Sequence, residues 1–229
     1  MRQERIKAIL EQSRENWEEL AGDFSQTRRY LWPELDDFQR YVKEGDKVLD
    51  LGCGNGRLYE LFGQEIDYLG VDQSSKLITL ARERFPAAKF AVADALNLPL
   101  KEKFDVIFSI AFFHHIPSRQ LRLKVLRNCR DLLKTDGLMI CTVWNLFQPC
   151  LIWKYNIAKI LLGFRDVFIP FQIRQRKIKR YYHAFGEKEL KRTFQRSGFE
   201  IVKCYYTRKD RLVGRLNGYN LVLIAKRND

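Results

Sequence analysis

The feature that most constrains this chain is the run Val48-Leu49-Asp50-Leu51-Gly52-Cys53-Gly54-Asn55-Gly56, an apolar strand that passes straight into three alternating glycines. Glycine lets the backbone turn tightly and lets a ligand approach it closely, and open parallel sheets bind ligands at the carboxyl ends of their strands. The spacing G-x-G-x-G differs from the dinucleotide fingerprint G-x-G-x-x-G, and no Lys-Ser/Thr of a phosphate-binding P-loop follows. A lone glycine turn is a weak signal, and its neighbours decide what it means.

Strands and helices alternate from this point. Apolar runs at 47–51, 68–72, 90–93, 105–110 and 138–144 read as strands, while 57–63, 75–85 and 118–134 have helical spacing, the last closed by Asp136-Gly137. That alternation predicts crossover units and a parallel sheet covered on both faces. Residues 187–197 then read as a helix stopped by Gly198. Two strands follow at 199–206 and 219–226, turned at Asn217-Gly218, and without a helix between them they should pair antiparallel. The expected fold is α/β and Rossmann-like, with a seven-stranded, mostly parallel sheet, an antiparallel last strand and helices on both faces.

A single domain suits 229 residues with 46% apolar content. Residues 1–44 are expected to form an N-terminal helical cap, with Trp17, Leu20 and Phe24 among its periodic apolar positions and a break at 24–27. Residues 45–145 are the core, 146–182 an insertion, and 183–229 the C-terminal helix and strand pair. The insertion is aromatic and aliphatic at first, then basic. Lys154, Lys159 and Arg165 interrupt its apolar part, so it cannot supply the roughly 20 apolar residues of a spanning helix, and no stable membrane insertion is expected. The charged first twenty residues do not read as a secretion signal, which points to the cytoplasm. Cysteines 53, 129, 141, 150 and 204 make no CxxC pair and, with only three histidines, argue against both a disulfide framework and a metal site.

Acids stand at three successive strand ends. Asp72 is placed to accept hydrogen bonds from two ribose hydroxyls. Asp94, in Ala93-Asp94-Ala95-Leu96, is placed to accept from an adenine amino group beneath apolar neighbours. Asp50 precedes the first glycine and can hold an amino group. Each alone is an ordinary turn aspartate; all three beside the glycine turn describe a nucleoside site. A nicotinamide dehydrogenase shares the strand-end acid, but the glycine spacing and the terminal strand pair speak against it.

This constellation resembles the class I methyltransferases that use S-adenosyl-L-methionine (SAM). The resemblance implies SAM as cofactor, held by Gly52, Cys53, Gly54, Asn55 and Gly56 with the three acids, and by Gln73, Ala95, Leu96, Ser109 and Ile110 around them. The end of the fourth strand, Ser109-Ile110-Ala111-Phe112-Phe113-His114-His115, lacks the Asp/Asn-Pro-Pro-aromatic motif of exocyclic-amine methylases. Pro149-Cys150 lacks the partner motif of a nucleophilic cysteine.

Charge narrows the acceptor. Residues 150–229 hold 19 Lys and Arg against 6 Asp and Glu, and so carry the whole net charge of +13. A neutral first part followed by a basic last third points to a polyanionic partner, nucleic acid before an anionic membrane. Three further segments, Phe24-Ser25-Gln26-Thr27-Arg28-Arg29-Tyr30-Leu31-Trp32-Pro33, Ser109 to His115, and Arg180-Tyr181-Tyr182-His183-Ala184-Phe185, are similar to motifs of the tRNA wobble-uridine carboxymethyl methyltransferases. Departures are Arg57 in place of Lys, aromatic Phe112 and Phe113 in place of an aliphatic residue, and Asn217-Gly218-Tyr219 in place of Gly-Asn-Trp. The resemblance implies esterification of a 5-carboxymethyl group on the anticodon uridine, tRNA as partner and, in some members, a small zinc-binding activating protein. Arg28 and Arg180 are then candidates to hold a carboxylate, Trp32, Tyr181 and His183 to line the pocket, and His114 to act at the reacting group. The basic stretch 174–180 with Lys191, Arg192, Arg208, Lys209, Arg211 and Arg215 would follow the phosphate backbone. Two other readings stay open: a small-molecule or quinone methyltransferase with the insertion as lid, and a non-catalytic RNA-binding subunit.

Overall fold

The computed structural model describes residues 2–28, 30–173, 176–209 and 211–228, with the side chains of Gln64 and Arg176 left out. Arg29 and Arg174, which belong to the motif and the basic stretch above, lie outside the described residues. In chain order the elements are α1 (Gln3–Thr27), β1 (Lys47–Leu51), α2 (Tyr59–Phe62), β2 (Asp67–Asp72), α3 (Ser75–Arg84), β3 (Lys89–Val92), β4 (Phe104–Ile110), α4 (Arg119–Leu132), β5 (Leu133–Trp144), α5 (Pro149–Tyr155), β6 (Asp166–Ile173), β7 (Arg176–His183), α6 (Glu187–Gln195), β8 (Phe199–Arg208), β9 (Arg211–Val213) and β10 (Asn220–Arg227).

The main sheet runs β3-β2-β1-β4-β5-β10-β8-β9. Strands β1 to β5 are parallel, and β10 lies antiparallel between β5 and β8. Val48, Leu49, Ile107, Phe108 and Leu221 to Ala225 are buried, as continuous apolar runs in a sheet covered on both faces should be. Strand order reverses at β1, which has β2 on one side and β4 on the other. That switch point leaves a crevice above the carboxyl ends of β1 and β4, where the glycine turn and Ala111 lie.

The main sheet has eight strands where seven were expected. The extra strand is β9: the chain reverses through Lys209, at φ +57°, and pairs three residues back onto β8 before β10 begins. The Asn217-Gly218 turn therefore follows β9, and both amides bond to the carbonyl of Gly214. The insertion contains the hairpin β6–β7, a second sheet of two strands. Its period was hidden in the sequence because both faces of β6 carry apolar residues: Val167, Ile169 and Ile173 are buried, whereas Phe168 is 39% exposed.

The expected break at 24–27 is also corrected. α1 stays helical through Thr27, whose hydroxyl bonds back to the Asp23 carbonyl at 3.0 Å. The helix is tied down at two places. Glu18 accepts from the Ser75 and Lys76 amides at the start of α3, and Asn55 Nδ2 donates to Ser25 Oγ and to the Arg28 carbonyl, both at 3.2 Å. The cap thereby lies across the glycine turn. No helix among the described residues is long and apolar enough to cross a membrane.

Candidate active site

Two cavities meet above the switch point. The larger, about 860 Å³ including space open to solvent, is bounded by Asp50, Gly54, Asn55 and Ile110 from the core, by Arg28 and Trp32 from the cap, and by Trp144, Arg180 and Tyr182. The smaller, about 490 Å³, is bounded by Val71, Ala93, Asp94, Ala95 and Leu96, with Leu10 and Ser13 of α1 over it. Trp17, Gly52, Asp72, Gln73, Phe112 and His115 line both.

Gly52 is where the cavities join. Its φ is +77°, and a Cβ there would lie 2.3 Å from Cγ of Phe112. The Phe112 ring therefore rests on bare glycine backbone and lines both cavities. Gly56 serves differently: a Cβ there would meet Phe90 at 2.6 Å, so this glycine permits packing of the turn against β3 rather than ligand contact. Ser109 is buried and does not line the cleft, whereas Ile110 does.

The acids are held by backbone and ring donors. Asp72 accepts from the Gly54 amide at 3.0 Å on one oxygen and from the Ser74 amide at 2.9 Å on the other, which leaves lone pairs on both. Burial pushes its carboxyl up, against the pull of those amides. Asp94 accepts from the Leu96 amide at 2.9 Å. Asp50 accepts from the Tyr68 hydroxyl at 2.7 Å, and burial, then the nearby Asp72, pushes it up to about 7. A carboxyl in that condition gains most from an ammonium partner. Cofactor affinity should accordingly weaken about fivefold from pH 7 to pH 6, because Asp50 must be ionised to hold the amino group. Calorimetric titration of SAM across pH 6–8 measures this, and Asp50→Asn should flatten the profile; a steep profile in that variant would sink the assignment. Cys53 lines the larger cavity, but burial pushes its thiol up, so it is an inert wall.

The other wall is cationic. Arg28, Arg57 and Arg180 all line the larger cavity. Arg57 lies over Trp32 at 4.1 Å, and burial together with repulsion from Arg28 pushes it down to about 10. Burial and repulsion from Arg180 likewise push Arg28 down. Arg180 is 6% exposed and ringed by Phe171, Tyr182, Trp17 and Trp144 at 4.7, 5.3, 5.7 and 5.8 Å. Its Nε has no hydrogen-bond partner, and no carboxylate pairs with it among the described residues. A guanidinium buried without a counter-ion is costly, and an anionic ligand removes that cost. Arg57 was not among the sequence candidates; its only signal was its departure from the family's lysine.

The two histidines hold opposite tautomers. His114 Nδ1 accepts from the Trp144 amide at 3.2 Å, so its proton sits on Nε2, which is buried without a partner. His115 Nδ1 lies 2.8 Å from the Tyr181 carbonyl and must carry the proton. Burial pushes His114 well down and His115 to about 3, so both are neutral and poor bases. Tyr182 stacks against both His114 and Trp144, with centroids 4.9 and 5.3 Å away, and those two rings lie 6.1 Å from each other.

Alternation along β7 divides the third motif. Arg180 and Tyr182 face the cleft; Tyr181 and His183, expected there, point away. The Tyr181 hydroxyl donates to Asp166, and the two nitrogens of His183 bond Asp166 at 2.8 Å and Glu189 at 2.7 Å. Tyr182, masked in the sequence by its neighbours, is the pocket residue. No group of three metal-binding side chains occurs among the described residues.

Sheet order, switch-point crevice and three strand-end acids define a class I methyltransferase fold, and residues 48–137 match the family described as methyltransferase domain. More particularly, the chain is similar to the tRNA (carboxymethyluridine(34)-5-O)-methyltransferase of Saccharomyces cerevisiae, with 36% identity over 164 residues, 71% of this chain and 57% of that protein. It is 36% identical over 146 residues to the tRNA (carboxymethyluridine(34)-5-O)-methyltransferase alkbh8 of Xenopus tropicalis, 63% of this chain and 22% of that protein. The chain thus spans from 22% to 57% of the length of these two relatives. The fold is shared with the methyltransferase solved in complex with the Haloferax volcanii Trm112 methyltransferase activator, at TM-score 0.71 and 18% identity over 95% of this chain and 98% of that one. These matches indicate S-adenosyl-L-methionine as cofactor, and the adjoining cavities, with acids in both and arginines in the larger, carry the donors and acceptors such a group requires.

Proposed function

We propose that this protein transfers a methyl group from SAM to the carboxylate of 5-carboxymethyluridine at the tRNA wobble position. The observation that carries the reading is Arg180, a buried guanidinium without a counter-ion in a cleft whose histidines are poor bases. A carboxylate is ionised at neutral pH and needs orientation and charge pairing but no general base, whereas a protonated nucleophile needs one. When bound, SAM supplies a methyl group activated by its sulfonium. Asp72 and Asp94 hold the nucleoside part, and Asp50 with Arg57 the amino-acid part. Arg180 and Arg28 hold the acceptor carboxylate, and the unpartnered Nε2–H of His114 donates to one of its oxygens. His114 thus acts as a donor, and Tyr181 and His183 fix β7 from behind.

The cleft opens into a vestibule lined by Trp144, Lys154, Tyr155, Phe171 and Lys177 together with Arg28 and Arg180. Aromatic faces interleaved with cations suit a base splayed out of an RNA loop, by stacking and by phosphate pairing. The relatives' names support a tRNA partner and a cytoplasmic setting, and the activator complex of the structural neighbour supports a small activating protein as a further partner.

The test is transfer of labelled methyl from SAM to tRNA with and without carboxymethylated wobble uridine. Base-labile label should enter only the carboxymethylated tRNA, with kcat flat from pH 6 to 9 at saturating SAM. Tight SAM binding without labelling of any tRNA, with or without an added activator, would defeat the reading in favour of a small-acid or quinone substrate. The exposed Trp153 and Leu162 of the insertion would then be the first place to look for a membrane contact.

A further inference from the structure

A second basic surface lies outside the cleft. Arg119 and Arg122 of α4, Arg165 before β6, Lys188, Arg192 and Arg196 around α6, and Arg215 after β9 line one groove of about 1310 Å³ including open space. Four segments far apart in sequence are needed to assemble it. Its two acids are partly engaged elsewhere: Glu187 pairs with Lys191 at 2.5 Å, and Glu189 bonds His183 while also facing Arg122 and Arg165. Arg119, Lys188, Arg192 and Arg196 have no ion-pair partner among the described residues. Arg165 and Arg215 are fixed against the ring of Phe147, at 4.8 and 4.0 Å. Seven cations thus share the groove with two acids, the four without an ion-pair partner repel one another and their neighbours, and a polyanion relieves that repulsion.

The groove backs onto the cleft across β7. Glu189 lines it and bonds His183, whose neighbour on β7, Tyr182, lines the cleft on the other face of the strand. We infer that this groove binds the sugar-phosphate backbone of the RNA whose nucleotide enters the cleft; the inference rests on the RNA reading proposed above. A concave wall of arginines suits a phosphate chain, and the exposed apolar residues Trp153, Leu161, Leu162 and Phe164, which a lipid surface would require, do not line it. Of the basic residues the sequence nominated for this task, only Arg192 and Arg215 line the groove. Arg119, Arg122, Arg165, Lys188 and Arg196 enter through tertiary structure.

The test is fluorescence anisotropy with labelled tRNA from about 0.05 to 0.3 M salt, on the full chain and on an Arg119→Gln/Arg192→Gln/Arg196→Gln variant. These side chains are exposed and touch no part of the cofactor or acceptor machinery. The variant should bind tRNA about 10- to 100-fold more weakly at ~0.1 M salt, with the slope of log K against log salt reduced by about 2–3, and with SAM affinity and melting temperature unchanged. Arg119→Gln alone should reduce the slope by about 1. Unchanged tRNA affinity and slope in the triple variant would overturn the proposal. So would complete displacement of tRNA by millimolar inorganic phosphate, which would mark a small-phosphate site instead. Groove-dependent tRNA binding without methyl transfer would leave the groove standing and defeat only the wobble-uridine reading.

Discussion

Arg180→Met should lower methyl transfer, measured as kcat/KM for carboxymethylated tRNA, by about two to three orders of magnitude while SAM affinity changes little. The effect is large because a charge-assisted, two-pronged hydrogen bond to a carboxylate in a dry site is among the strongest polar contacts available, and a loss of about 3–4 kcal/mol corresponds to that range. Four aromatic rings exclude water from this guanidinium, so no solvent molecule substitutes for it easily. Arg180→Lys keeps the charge without the planar fork and should recover only part of the rate. Stability should move the other way from activity. Removing a buried charge that lacks a partner relieves desolvation, so the melting temperature of Arg180→Met should hold or rise. A variant that folds and still turns over at the wild-type rate would show that Arg180 does not hold the acceptor.

Gly52→Ala should reduce SAM affinity at least about 100-fold, by two separable costs. An L-residue at φ +77° is strained by roughly 1–2 kcal/mol, and the new methyl would sit 2.3 Å from Phe112, on the surface that joins the two cavities. Gly54→Ala is the internal comparison: its φ is +56°, but the nearest atom to its Cβ is Phe24 at 3.3 Å, so it should lose mainly the strain component. Adding Phe112→Ala to Gly52→Ala should restore part of the lost melting temperature by removing the clash. It should not restore SAM affinity, because the added methyl still covers the backbone that the ligand must approach. Calorimetry and thermal melts on the three variants separate these terms, and full recovery of affinity in the double variant would mean that Phe112, not the glycine, governs access.

The core of this molecule was written locally. A strand buried on both faces needs a continuous apolar run, and a strand that turns under a ligand needs glycine, so β1 and its turn could be read from nine consecutive residues. Asp50, Asp72 and Asp94 were legible for the same reason: each stands within two residues of a strand's carboxyl end, and parallel strands bring those ends to one side. The third motif shows where that logic stopped. Arg180, Tyr181, Tyr182 and His183 are contiguous, and which pair faces the cleft depends on the register of a hairpin whose apolar residues lie on both faces. The expectation placed Tyr181 and His183 in the pocket, whereas the strand presents Arg180 and Tyr182 and turns the others toward Asp166 and Glu189.

The sequence by itself determined the parallel core, its glycine turn and its three acids, because those depend on residue type and on spacings shorter than one crossover unit. Only the tertiary structure decided that Phe112 packs on Gly52 and lines both cavities, that Arg57 joins the cationic wall, that the histidines hold opposite tautomers, and that arginines from four segments converge on one surface. Each of these is set by which distant side chain or carbonyl comes within a few ångströms, and that follows from how the sheet, the cap and the hairpin close on one another.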